Sequence, residues 1–132
     1  MAESISRAKI ILPDQVLADH GTEFSSTEIS VSDYHEYAGI LLNYTKGAEA
    51  SLLVRFEYAP ETASGNWYMV GNVTGPGVNP FLSYTAELNA TTKGCYQFAV
   101  AFPGTYRILV ESSNSPGAGW GHVEIRSILK ER

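Results

Sequence analysis

The chain has 132 residues, of which 44% are hydrophobic and 17% charged, and its mean hydropathy is near zero, values of a single globular domain with one core rather than a disordered or membrane-embedded chain. A formal charge of -5 and an isoelectric point near 5.1 exclude a surface built to hold nucleic-acid phosphates, and no apolar run reaches the length of a transmembrane helix. The single cysteine, Cys95, excludes an internal disulfide and the Cys clusters of structural zinc sites, and it reads as a buried, inert thiol.

Residues 1–26 are the least regular part of the chain. They lack the basic-then-apolar order of a secretory signal, so synthesis in the cytoplasm is expected. They nevertheless carry Ile5, Ile10, Ile11, Leu12, Val16 and Leu17. Such an arm either adds an edge strand to its own domain, with 9–12 extended, or reaches across to another copy. The remaining residues, 27–132, form the domain proper. A short strand is expected at 27–31, and 37–44 is a nearly continuous apolar run suited to the middle of a sheet.

The clearest period-two alternation is Leu-Leu-Val-Arg-Phe-Glu-Tyr at 52–58, with Leu52, Val54, Phe56 and Tyr58 facing one way and Arg55 and Glu57 the other. Further strands are expected at 66–71 and 81–88. Alternation returns at 95–102, with Tyr96, Phe98, Val100 and Phe102 inward, and at 106–111, with Tyr106, Ile108 and Val110 inward. The last strand spans 122–129. Turn chemistry separates these segments at 46–47, 60–65, 75–80, 93–94, 103–104 and 112–121. Pro103-Gly104 reads as a tight hairpin that pairs the two strands beside it.

No stretch combines helical periodicity with freedom from glycine, proline and β-branched runs. The predicted fold class is therefore all-β: a two-sheet antiparallel β-sandwich of jelly-roll type. The outward residues Gln97, Ala99 and Ala101 are small, and Leu109 is an outward apolar side chain. This outer face is expected to be covered by a neighbouring subunit or by the arm.

The residues that carry chemistry are sparse. Asp14, Asp19 and Asp33 are the only aspartates, His20, His35 and His122 match no metal-binding spacing, and no Gly-x-Ser-x-Gly elbow occurs. The glycine-rich segments 71–77 and 117–121 do not lead from a strand into a helix, as a phosphate cradle requires. No catalytic, metal or cofactor site is expected, and a hydrolase would need a nucleophile and base that the sequence does not display. Arg55, Arg107 and Arg126 share strands with Glu57, Glu111 and Glu124, which points to cross-strand ion pairs. Three glycosylation-acceptor patterns, at Asn43, Asn72 and Asn89, carry little meaning without a secretory signal.

Aromatic residues offer the best candidate binding surface. Trp120 sits in the loop Pro-Gly-Ala-Gly-Trp-Gly at 116–121, where it would either stack on a sugar, fill a partner's pocket or close one end of the core. Trp67 and Tyr68 are adjacent on a predicted strand, so one faces inward and the other outward. With Tyr34, Tyr37 and Trp120 they would compose an aromatic sugar platform.

Several segments share a pattern with a known group of proteins: Thr-Glu-Ile-Ser-Val at 27–31, Ala-Gly-Ile-Leu-Leu-Asn-Tyr-Thr at 38–45, 52–58, Asn-Trp-Tyr at 66–68, Tyr-Arg-Ile-Leu-Val-Glu-Ser at 106–112 and Val-Glu-Ile at 123–125. In this order, over most of residues 27–128, the chain resembles small β-sandwich virion proteins of tailed bacteriophages. The resemblance implies a head-decoration, auxiliary capsid or tail-associated role in the virion. It further implies homo-oligomers, a trimer among them, and capsid or tail proteins as partners, and it carries no catalytic residue. The competing expectation is a carbohydrate-binding module that holds glycans through Trp120 and Tyr68.

Overall fold

Two sheets that face each other take their alternating apolar side chains out of water, and the computed structural model shows that arrangement. It describes residues 8–60, 66–70, 85–89 and 92–132. Ile5, the turn residues 61–65, the glycine-rich segment 71–77 with Asn72, Pro80, Phe81 and the end of the Asn89 acceptor pattern lie outside the described residues. The described residues form β1 (Lys9–Val16), β2 (Phe24–Ser25), β3 (Ile29–Val31), β4 (His35–Thr45), β5 (Leu52–Ala59), β6 (Tyr68–Met69), β7 (Ala86–Leu88), β8 (Lys93–Val100), β9 (Gly104–Ser112) and β10 (His122–Glu131). No helix among them is long and apolar enough to cross a membrane.

The first sheet has the order β1-β10-β4-β8 and the second β2-β9-β5-β6, with β3 also on β9 and β7 also on β5; every pairing is antiparallel. Along β9, β2 and β3 act as one interrupted strand, and β6 and β7 do the same along β5. The pairs are nested: the first strand lies on the last, β2 and β3 on β9, β4 on β8, and β5 on β6 and β7. Successive pairs alternate between the sheets, which is the jelly-roll connectivity.

Ile40 and Leu42 of β4, Leu52 and Val54 of β5, Ile108 and Val110 of β9, and Val123 and Ile125 of β10 fill the space between the sheets. Burying each such side chain contributes about 1.5–3 kcal/mol. Phe56 and Phe98 meet across the sandwich with ring centroids 5.1 Å apart. As the arm of the molecule, β1 takes the outer position beside β10. Its register breaks at Ile10/Leu12 let Ile11 and Leu12, consecutive in sequence, both be buried.

Three sequence expectations fail. β8 and β9 do not form a hairpin, because β8 pairs with β4 in one sheet and β9 with β5 in the other; Pro103-Gly104 carries the chain across the sandwich. Period two fixes which side chains point inward but is silent about the neighbouring strand. Phe102 is not inward but 76% exposed, since β8 ends at Val100 and the turn breaks the alternation. Cys95 is exposed, not buried: it faces outward on β8 opposite Asn43.

The turn between β8 and β9 is held by two tyrosines. The Tyr58 hydroxyl donates to the Pro103 carbonyl at 2.7 Å and the Tyr106 hydroxyl to the Phe102 carbonyl at 2.7 Å. Gly104 has φ of 146° and its Cα lies against the Tyr58 ring, so a Cβ there would meet both backbone strain and the ring. Gly104→Ala is expected to destabilise the domain by about 2 kcal/mol or more, read as a lower urea midpoint with an unchanged slope.

Candidate functional site

The loops gather at two ends. At one, the β4–β5 loop (46–51) meets the β9–β10 loop (113–121); at the other, the β3–β4 turn (32–34) approaches the β8–β9 turn (101–103). Both ends and both outer faces carry polar or aromatic groups, and their geometry differs sharply.

At the first end, Glu49 is 1% exposed although it is a carboxylate. It accepts from the Tyr44 hydroxyl at 2.6 Å, from the Gly47 N–H at 2.8 Å and from the Gly121 N–H at 2.7 Å. Gly47 and Gly121 are needed because a Cβ on either would strike the backbone of the facing loop. The Ala48 N–H adds a bond to the Gly119 carbonyl at 2.7 Å, and the Leu17 N–H one to the Gly121 carbonyl at 2.9 Å. Burial opposes the charge on Glu49, yet the donors from Tyr44, Gly121 and Gly47 outweigh it and hold the carboxyl below its ordinary value of 4.5. Burial, reinforced by Glu49, pushes the Tyr44 hydroxyl far above its usual range.

The turn signal in the sequence covers only 46–47, and Glu49, an isolated acid between two alanines, gives no signal of its partners. With its donors supplied by the end of β4 and by both loops, it is a fastener of this end. Trp120 packs half-buried against the core from the β9–β10 loop, closing the sandwich here.

The outer face of the second sheet is a chain of neutralised charges. Arg55 pairs with Glu23 at 2.6 Å and with Glu57 at 3.2 Å, and Arg107 pairs with Glu57 at 2.6 Å. The Arg107 guanidinium lies 4.2 Å from the centre of the Trp67 ring, a contact worth about 0.5–1 kcal/mol at an exposed site. Leu109 is on this face between Arg55 and Ser25 but only 7% exposed. Glu111 receives the Gly21 N–H at 2.9 Å and has His20 at 3.6 Å in place of an arginine. On the first sheet, Arg126 pairs with Glu124 at 2.7 Å and holds that carboxyl below its usual range.

The second end is different, for its aromatics are exposed. Tyr34 is 81% exposed, Phe102 76% and Tyr68 60%. Tyr68 pairs with Tyr58, which pairs with Tyr106, and the Tyr58 and Tyr106 rings are 5.1 Å apart. These rings, with Met69, Val70 and Phe102, line a cleft of about 330 Å³. Burial and then neighbouring Tyr58 push the Tyr106 hydroxyl up to about 12, so it stays a donor to the turn at any ordinary pH. On the other side of the turn, Ser30, Asp33, Tyr34 and Thr105 border a second cleft of about 300 Å³.

The four residues expected to make one binding surface are therefore divided. Trp120 is at the first end, Tyr68 at the second, and Trp67 and Leu109 on the outer face of the second sheet. Among the described residues, no group of three or more His, Cys, Asp or Glu side chains is placed to hold a metal ion.

Glu49→Gln puts an amide group among donors and is expected to lower stability by about 2–3 kcal/mol at neutral pH, measured by urea unfolding. Because the folded carboxyl titrates below 4.5, its contribution is complete above that value and is lost as pH falls through the lower folded value. Wild-type stability should consequently fall more steeply with acidification below pH 4.5 than that of Glu49→Gln, and parallel curves would refute the assignment. The sequence matches no protein-family model and no curated protein.

Proposed function

We propose that the chain is a non-catalytic assembly protein, a capsid-decoration or virion-associated component that works by self-association and by contact with capsid or tail proteins. Jelly rolls serve as both capsid and lectin domains, so the fold is compatible with this role without selecting it. The observation that carries the reading is the outer face shared by β4 and β8. Gly39, Leu41 and Asn43 lie there opposite Ala99, Gln97 and Cys95, a run without a charged side chain. Tyr37, Gly39, Leu41, Gln97, Ala99 and Ile128 border a shallow groove along it.

The contrast with the rest of the surface supports the reading. On β10 and the second sheet, outward arginines are matched by carboxylates of the same chain, which keeps those faces hydrated. Among the described residues, the strip from Gly39 to Asn43 and from Cys95 to Ala99 makes no ion pair, and an uncharged strip of that kind is suited to close contact with another protein. β8 is also the last strand of its sheet among the described residues.

Light scattering coupled to size-exclusion chromatography is expected to show concentration-dependent oligomers. Ala99→Arg, which places a charge in the strip, should return the protein to monomer and leave the unfolding midpoint unchanged at concentrations where the wild type is itself monomeric. A monomer at high concentration that also fails to bind capsid or tail particles would exclude the role.

A further inference from the structure

The geometry points to a neutral-saccharide site at the end of the sandwich away from Glu49, astride the β8–β9 turn. It is independent of the assembly role and uses different residues.

Two clefts meet at this turn, and their linings are of opposite character. On one side, Tyr58, Tyr68, Tyr106 and Phe102 present aromatic rings; on the other, Ser30, Thr105 and Asp33 present hydroxyls and a carboxylate beside the Tyr34 ring. Ser30 and Thr105 are cross-strand partners, and alternation turns both away from the core, with Ile29 and Val31 buried on either side of Ser30. Neither hydroxyl nor the Asp33 carboxylate has a hydrogen-bond or ion-pair partner among the described residues. Each cleft, at about 300–330 Å³, has the size of a small-molecule site.

The chemistry selects the ligand class. A pyranose ring combines an apolar face of C–H groups, which stacks on an aromatic ring, with a rim of hydroxyls that needs both donors and acceptors. Serine and threonine hydroxyls supply both, and the carboxylate accepts. Among the described residues no lysine or arginine lines either cleft, so a phosphate or carboxylate ligand would find no counter-charge from them. An oligosaccharide crossing the turn would place one ring against the aromatics and the next against the hydroxyls.

The site is also preorganised. The turn between the clefts is pinned by the Tyr58 and Tyr106 hydroxyls at 2.7 Å each. The opposite wall is fixed by the Ser32 N–H, which donates to His35 Nδ1 at 2.9 Å, and by the Tyr34 N–H, which donates to Ser32 Oγ at 3.3 Å. The loop backbone is thus ordered before binding, and the exposed Tyr34 and Phe102 rings are what a ligand has still to order.

The test is a ¹H–¹⁵N NMR titration of the full chain with neutral oligomers of glucose, xylose, mannose, galactose and N-acetylglucosamine up to millimolar concentration. At least one is expected to shift the amides of 30–34, 102, 104 and 105 saturably. Tyr34→Ala and Phe102→Ala, both at exposed positions and checked for an unchanged circular-dichroism spectrum, should each weaken that binding about tenfold. Asp33→Asn should weaken it less, and Trp120→Phe, at the far end, should leave it intact. The proposal is overturned if no oligomer shifts these amides, if the shifts map to the Trp120 loop or the β4–β8 face, if the variants bind as wild type does, or if only a cationic peptide or a protein surface binds there.

Discussion

The structure depends on the pairing of β1 with β10, which sets the outermost layer of a nested series. With that pair in one sheet and β2 and β3 on β9 in the other, each later strand has only one place left for its partner. The apolar alternation then does the energetic work, because the inward residues of β4, β5, β9 and β10 meet in a shared dry interior. Everything that faces water is free of that constraint, and the outer faces and the two ends have diverged in character accordingly.

The ends show how polar groups are used once the core is secure. Glu49 turns a buried charge into a fastener because the chain brings a tyrosine hydroxyl and two glycine amides to it. Deprived of those donors, the same carboxylate would be among the costliest groups in the molecule. At the opposite end, Tyr58 and Tyr106 spend their hydroxyls on the turn and leave their rings to form a cleft. One end is thus closed by polar contacts made inward, and the other is left with aromatic surface and hydroxyls turned outward.

Much of the fold was legible in the sequence, for a physical reason: burial on one face of a strand leaves a period-two trace, and 52–58 and 106–111 carry it clearly. The two-sheet architecture follows from the number of such strands. Partner choice leaves no local trace, so Pro103-Gly104 read as a hairpin when it is a crossing between sheets. Exposure at strand ends and edges is equally non-local. Phe102 looked like the next inward residue after Val100, and Cys95 looked buried by residue type alone. Of the aromatic platform, sequence named the residues but could not see that Trp120 and Tyr68 occupy opposite ends. Glu49 was invisible because the fold must bring Gly121, from a loop some seventy residues away, to the same carboxylate as its neighbours Tyr44 and Gly47.

The nested topology also bears on how the domain comes into being. β1 is synthesised before the other described strands, yet its sheet neighbour among them is β10, which is synthesised after them. Until then Ile11 and Leu12 have no neighbouring strand to cover them, and the interior of the first sheet lacks Val123 and Ile125. Closure must therefore await synthesis of almost the entire domain. Contacts this distant along the chain carry a large loop-closure entropy and make for slow folding. A nascent chain that still lacks β10 holds β1 and β4 with unpaired edges and no finished core, and it is prone to mispairing until that strand has been made.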